Sequence, residues 1–284
     1  NPTAGSTYVL ANIDESLFTT AAGTLTAASD SVLISGTKSG VMIGAGTTVT
    51  GSGTNSVALS ATQLSAILVS PYTVEAENKG IITLGNNSAA IYVSDGARGL
   101  NSSSITVGNN STGIFGKNGN GTGEIKNSGT IIVGQGSQGL YAENMANVEN
   151  TNMITGTMAN SVGMYALGAT PMTNSGTIDL SGDNSVGIFS AASPGSTAQI
   201  LNDTVGKIKI GNSSNPSNPA VGIYSVNEDE VITNSGEIEV GSGSLGIYKF
   251  GYPTSNGTIQ QQGKITVGSG GVGIYSEGDL VTLH

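Results

Sequence analysis

The chain has no cysteine and no tryptophan, a single histidine, and only nine basic residues in 284. Without cysteine there is neither a disulfide framework nor thiolate chemistry. His284, the one histidine, is the last residue, so neither a zinc site nor a Ser-His-Asp triad is expected, and no cofactor is foreseen. Scattered Lys and Arg against a net charge of −10 cannot form a groove that tracks nucleic-acid phosphates. No apolar run approaches the roughly 20 residues that span a bilayer. Charged residues make up 10% of the chain, where an ordinary mixed domain carries about 25%, and the formers of surface helices are scarce. The opening NPTAGSTYVL has neither a starting Met nor a basic, apolar leader, which leads us to expect a fragment of a longer protein.

What is present is glycine, 44 residues of it, with abundant Ser, Thr and Asn and well-placed aliphatics. Segments such as NSGTIIVGQGSQGLYA, NSGTIDLSGDNSVGIFS and NSGEIEVGSGSLGIYK repeat down the chain. Aligned on one isoleucine, the copies fall at Ile82, Ile105, Ile131, Ile154, Ile178, Ile208, Ile238 and Ile265. Each has short strand signals of period two, with Ile178 and Leu180 on one face and Thr177 and Asp179 on the other. Strands so short and polar are unstable alone, and stacking completes their core and hydrogen bonds. The fold expected is an all-β parallel β-helix of about 24 residues per coil, three short strands to a coil. Residues 1–77 are its less regular N-terminal coils, with apolar centres at Leu25, Leu33, Met42, Val49, Ala58 and Ile67; residues 78–284 are its regular repeats, in one continuous solenoid. Ser60 to Pro71 alone has a hint of helical spacing and reads as a short helical insertion or another strand.

Two columns follow from the alignment. Four residues before the isoleucines stand Asn78, Asn101, Asn127, Asn150, Asn174, Thr204, Asn234 and Gln261, expected as an amide ladder rather than glycan acceptors, since most copies read N-S-G. Ten or eleven residues after most isoleucines comes an aromatic, at Tyr92, Phe115, Tyr141, Tyr165, Phe189, Tyr248 and Tyr275, with Tyr224 in the remaining copy. An aliphatic precedes every one, so if the aliphatics fill the core the rings face outward; an inward stack is the alternative. Glycine at Gly113, Gly139, Gly163, Gly187, Gly222, Gly246 and Gly273 is expected to relieve crowding beside the rings, because no helix follows to make a nucleotide-binding turn.

Charges around the isoleucine strand alternate in sign, Asp179, Lys209, Glu239 in one column and Lys207, Glu237, Lys264 in the next. That pattern is expected from cross-strand pairing; the same residue types in a polysaccharide lyase or hydrolase would act as base and charge stabiliser. NEDE, Asn227 to Glu230, reads as a solvated turn, lacking the spacing of a calcium loop, and no metal site is expected. Insertions fall at Lys117 to Gly123, Ala191 to Thr197, Asn212 to Pro219 and Lys249 to Gly257. The last carries Phe250 and Tyr252 beside Tyr248, and this corner loop is the candidate ligand contact.

The repeat wording of residues 78–277 resembles the passenger repeats of large monomeric (type Va) autotransporter adhesins, especially the fusobacterial ones. The resemblance implies a right-handed parallel β-helix, extracellular and outer-membrane-anchored through parts absent from this chain, that binds a host-cell or bacterial surface receptor, protein or glycan. It implies a non-enzymatic, monomeric rod. A β-helix polysaccharide lyase or hydrolase and a non-binding structural stalk are the alternatives.

Overall fold

The computed structural model describes residues 7–11, 17–63, 74–117, 122–191, 197–226, 229–251, 257–278 and 282–283. They form a parallel β-solenoid without a helix, about 26 residues per turn. Consecutive strands enter three different sheets of 11, 11 and 10 strands, every pairing is parallel, and each strand meets its counterpart one coil away. The three sheets are named here for what they carry. The isoleucine sheet includes Ser104–Val107, Thr130–Val133 and Thr177–Leu180; the ring sheet includes Thr112–Lys117, Gln138–Glu143 and Val186–Ala191; the asparagine sheet includes Arg98–Asn101, Glu124–Asn127 and Asn147–Asn150.

Period-two patterning decides which side chains enter the core. Ile82, Ile105, Ile131, Ile154, Ile178 and Ile238 are fully buried, one above another, while Thr177 and Asp179 point outward. The N-terminal wording differs yet builds the same coils: Val32–Thr37 and Val57–Thr62 pair into the ring sheet ahead of Ala89–Ser94, and Leu33, Val49 and Ala58 are buried. Ile67 and most of the segment from Ser60 to Pro71 lie outside the described residues; Ser60 itself belongs to the strand Val57–Thr62. Residues 77 and 78 share the strand Glu75–Asn78, and all three sheets run across that point.

The turn is longer than the 24 residues read from the repeat because additions enter at corners and leave the strands unchanged. Ladder neighbours on the asparagine sheet are 23, 26, 23, 24, 28, 32 and 27 residues apart. One position needs correction for the same reason. The sixth member of the amide column is Asn202, not Thr204, because two additional residues separate the end of Gln199–Asn202 from Lys207–Ile210.

The glycine column also differs from expectation in what it makes room for. Gly139 and Gly163 are buried on the core side, and a Cβ on either would lie 2.6 Å from the next glycine's carbonyl oxygen and 2.6 Å from the Cγ2 of an isoleucine across the core. The crowding relieved is between the ring and isoleucine sheets, inside the rod, rather than beside the rings.

Candidate functional site: the outer face of the ring sheet

The ring sheet repeats one pattern in which the first, fourth and sixth residues of a strand face out. The third residue is the aliphatic of the core, and Ile91, Ile114, Leu140, Met164, Ile188, Ile223 and Ile247 are all fully buried. The fourth is the aromatic. Tyr92, Phe115, Tyr141, Tyr165, Phe189, Tyr224 and Tyr248 are half-buried and Tyr275 is exposed, so the column lies on the outside of the rod.

Seven centroid steps of 4.7–5.3 Å join these eight rings into a stripe roughly 35 Å long. Phe115 on Tyr141, Tyr165 on Phe189 and Tyr224 on Tyr248 are stacked, with interplanar angles of 5–18°. The steps between those pairs are edge-on, at 70° and 83°, so the rings meet one another both ways that aromatic quadrupoles favour. Burial, then a hydrogen bond to Glu143 (2.8 Å), pushes the Tyr141 hydroxyl well above its ordinary pKa. Tyr248 is raised to about 12, first by burial and then by its hydrogen bond to Glu277 (3.0 Å). Burial raises Tyr165 and Tyr224 as well.

The flanks of the stripe change along the rod. Beside Phe115 and Tyr141 stand Thr112, which donates to Gln138 at 3.1 Å, and Lys117, paired with Glu143 at 3.6 Å. From Tyr165 onward the flanking residues are Val162 and Leu167, Val186 and Ala191, Val221, and Leu245 and Phe250. Glu277 in the final strand is the sole charged residue among them.

Phe250 is not on a free corner loop as expected. It ends the strand Leu245–Phe250 and pairs in register with Glu277, because the strand continues past Tyr248 before the insertion begins. Tyr252 lies outside the described residues. Lys249, between Tyr248 and Phe250, turns inward and is fully buried. It occupies a column that also holds Val93, Gly116, Ala142, Ala166, Ser190, Ser225 and Ser276, and it fits because Gly257 has no side chain: a Cβ there would lie 2.0 Å from the lysine Cε.

NEDE also departs from the solvated turn expected of it. Asn227 and Glu228 lie outside the described residues, but Glu230 is fully buried and accepts a hydrogen bond from the Ser225 hydroxyl. Among the described residues no cluster of three or more acidic or histidine side chains is placed to hold a metal ion.

The amide column forms an unbroken chain inside the rod. Asn78, Asn101, Asn127, Asn150, Asn174 and Asn202 each donate from Nδ2 to the Oδ1 of the next coil at 2.7–2.9 Å, and Asn234 closes on Gln261 at 3.1 Å. A second buried ladder escaped the sequence reading. Backbone N–H groups of Ser56, Ser88, Ser111 and Ser161 donate to the hydroxyl of the serine one coil on, at 3.0–3.3 Å. Its signal was a serine four residues before most of the aromatics, as in Ser111 and Phe115.

Charge pairing is densest on the asparagine sheet, which the sequence reading passed over. Arg98 bridges Glu75 (3.6 Å) and Glu124 on the coils to either side, and Lys126 meets Glu149 at 2.7 Å. Burial, with Glu77 close by, raises Glu75 despite Arg98. On the isoleucine sheet Lys209 lies in register between Asp179 and Glu239, and Lys264 pairs with Glu237 at 3.2 Å. The Asn-rich insertion is held by Asp183, which accepts from the backbone and hydroxyl of Ser214; those bonds lower the Asp183 pKa.

A three-sheet parallel solenoid with internal polar ladders and an external ring stripe defines the class. Residues 5–245 match the family model of the BigA third pectate lyase-like domain. The chain belongs to that family, and is thus a pectate lyase-like β-helix domain of the kind found in BigA-like surface proteins. Comparison with curated proteins and with solved structures gives no match.

Proposed function

We propose that this chain is the passenger segment of a bacterial surface adhesin of the autotransporter type, attaching its cell to host cells or to other bacteria. In this reading it is extracellular, is anchored to the outer membrane by parts outside this sequence, and performs no catalysis. The observation that carries the reading is the ring stripe: eight aromatics stand outside the core across eight successive strands of one sheet. Outward aromatics bury much area at little entropic cost, and a hydrogen bond from a tyrosine hydroxyl to a polar receptor, protein or glycan, offsets the loss of its water. Pairing of the charged groups favours binding over cleavage, because Arg98 and Lys126 are each tied to carboxylates of adjoining coils. Phe250, on the rim of the stripe, is the residue on which we expect attachment to depend most. The test is adhesion of the purified chain to epithelial cells, to other bacteria and to a glycan array. Phe250→Ser is expected to weaken attachment several-fold at an unchanged melting temperature. Undiminished attachment by the folded variant, or release of sugar fragments by the wild-type chain, would overturn the reading.

A further inference from the structure

We infer that the ring sheet between Val162 and Tyr275 is a docking face for a second copy of this chain. The inference goes beyond attachment to a receptor and stands without it. It departs from the monomeric rod that the sequence resemblance implies.

The face is the uncharged window of a strongly acidic molecule. Across five successive strands its three outward columns hold Val162, Val186, Leu245 and Val272 on one side, rings in the middle, and Leu167, Ala191 and Phe250 on the other. Among the described residues Glu277 is the one outward charge in it, while the chain carries −10. In the two preceding strands the same columns hold Thr112 bonded to Gln138 and Lys117 paired with Glu143. Val221 in the central coil is buried, but the other apolar flanks are partly exposed and Val272 is exposed, at positions where polar residues were available to the same repeat, and such a patch calls for a cover.

Three features select a second copy as that cover. The face is a regular series of ridges one strand spacing apart, and another sheet with the same spacing can interdigitate with it at every coil. Two copies related by a two-fold axis through Tyr224 bring the coil of Tyr165 onto that of Tyr275 and the coil of Phe189 onto that of Tyr248, leaving Lys117 and Glu143 outside. Chains of −10 repel, and this is the face by which they approach without setting carboxylate columns against each other. The area also fits a reversible contact. Five strands by three columns cover about 400 Å² per copy, or about 800 Å² for the pair, less than the roughly 1,200 Å² of a stable interface. The pairing is therefore weak, screened into existence by salt, and populated where chains are crowded.

Sedimentation velocity of the 284-residue chain over a concentration series, in low and in high sodium chloride, tests this. The mass is expected to stay at 28.2 kDa at low salt and to rise toward twice that value as salt and concentration increase. Leu245→Lys and, separately, Val186→Lys are expected to weaken the association at least tenfold, whereas Thr112→Lys, on the polar-flanked stretch, leaves it unchanged. Circular dichroism and melting temperature confirm that each variant is folded, and the two independent window positions guard against one failing to fold. A chain that remains monomeric throughout overturns the inference and leaves the window to a different protein. Association that survives both window substitutions in folded protein overturns it too.

Discussion

The asparagine ladder and the ring ladder repeat with the same coil, yet one is sealed inside the rod and the other stands outside it. Asn127 and Asn150 are fully buried, and every link of their chain is a hydrogen bond between amides; Tyr141 and Phe189 are half-exposed, and their links are ring contacts of 4.7–5.3 Å. A buried amide that loses its neighbour has no water to turn to, whereas an outward ring that loses one forfeits only part of its contact area. The inner ladder is consequently an obligation of the fold, and the outer ladder a surface that can change with little damage to it.

The largest effect should come from breaking the inner ladder. Asn150→Ala removes the acceptor of Asn127 and the donor to Asn174, and is expected to cost about 2–4 kcal/mol in chemical denaturation. A loss below that of a ring truncation would erase the contrast between the two ladders. Gly163→Ala attacks the core between the sheets. Its Cβ would meet the Gly187 carbonyl and the Ile178 methyl at 2.6 Å, so a destabilisation of about 1–3 kcal/mol is expected, without a change in β-sheet circular dichroism.

On the outside, Phe189→Ser removes two ring contacts and should cost about 1 kcal/mol. Lys209→Glu sets three acids in adjacent coils beside Asp179 and Glu239, and should cost less than about 1 kcal/mol, part of it recovered in high salt. An effect insensitive to salt would show that the column does not act through charge.

The smallest effect is one of alkaline pH. Burial and Glu277 raise the Tyr248 hydroxyl to about 12, above its value of about 10 in the unfolded chain. The folded state therefore holds this proton more tightly. The resulting stability is fully present below the unfolded value and is lost as pH rises from there through the folded one. Phenolate absorbance should show Tyr248 ionising later in wild type than in Glu277→Gln. Equal midpoints would remove the carboxylate as a cause and leave burial alone.

The sequence by itself determined the solenoid, the alternation of core isoleucines with outward polar residues, and the two columns of amides and aromatics. These were legible because a coil repeats its environment, so a residue that must be Asn or aromatic in one coil must be so in the next. Tertiary structure alone decided what depends on the distance between coils. The amide of the sixth coil proved to be Asn202 because the corner absorbed two residues, which no count along the chain assigns to one side of a strand or the other. The core-side role of Gly163 came from an isoleucine on another sheet, the buried place of Lys249 from the room that Gly257 leaves, and that of Glu230 from a partner in the Ser225 hydroxyl. Sequence periodicity reports which face of a strand a side chain takes; which neighbours that face then meets is set by the packing of three sheets around a common core.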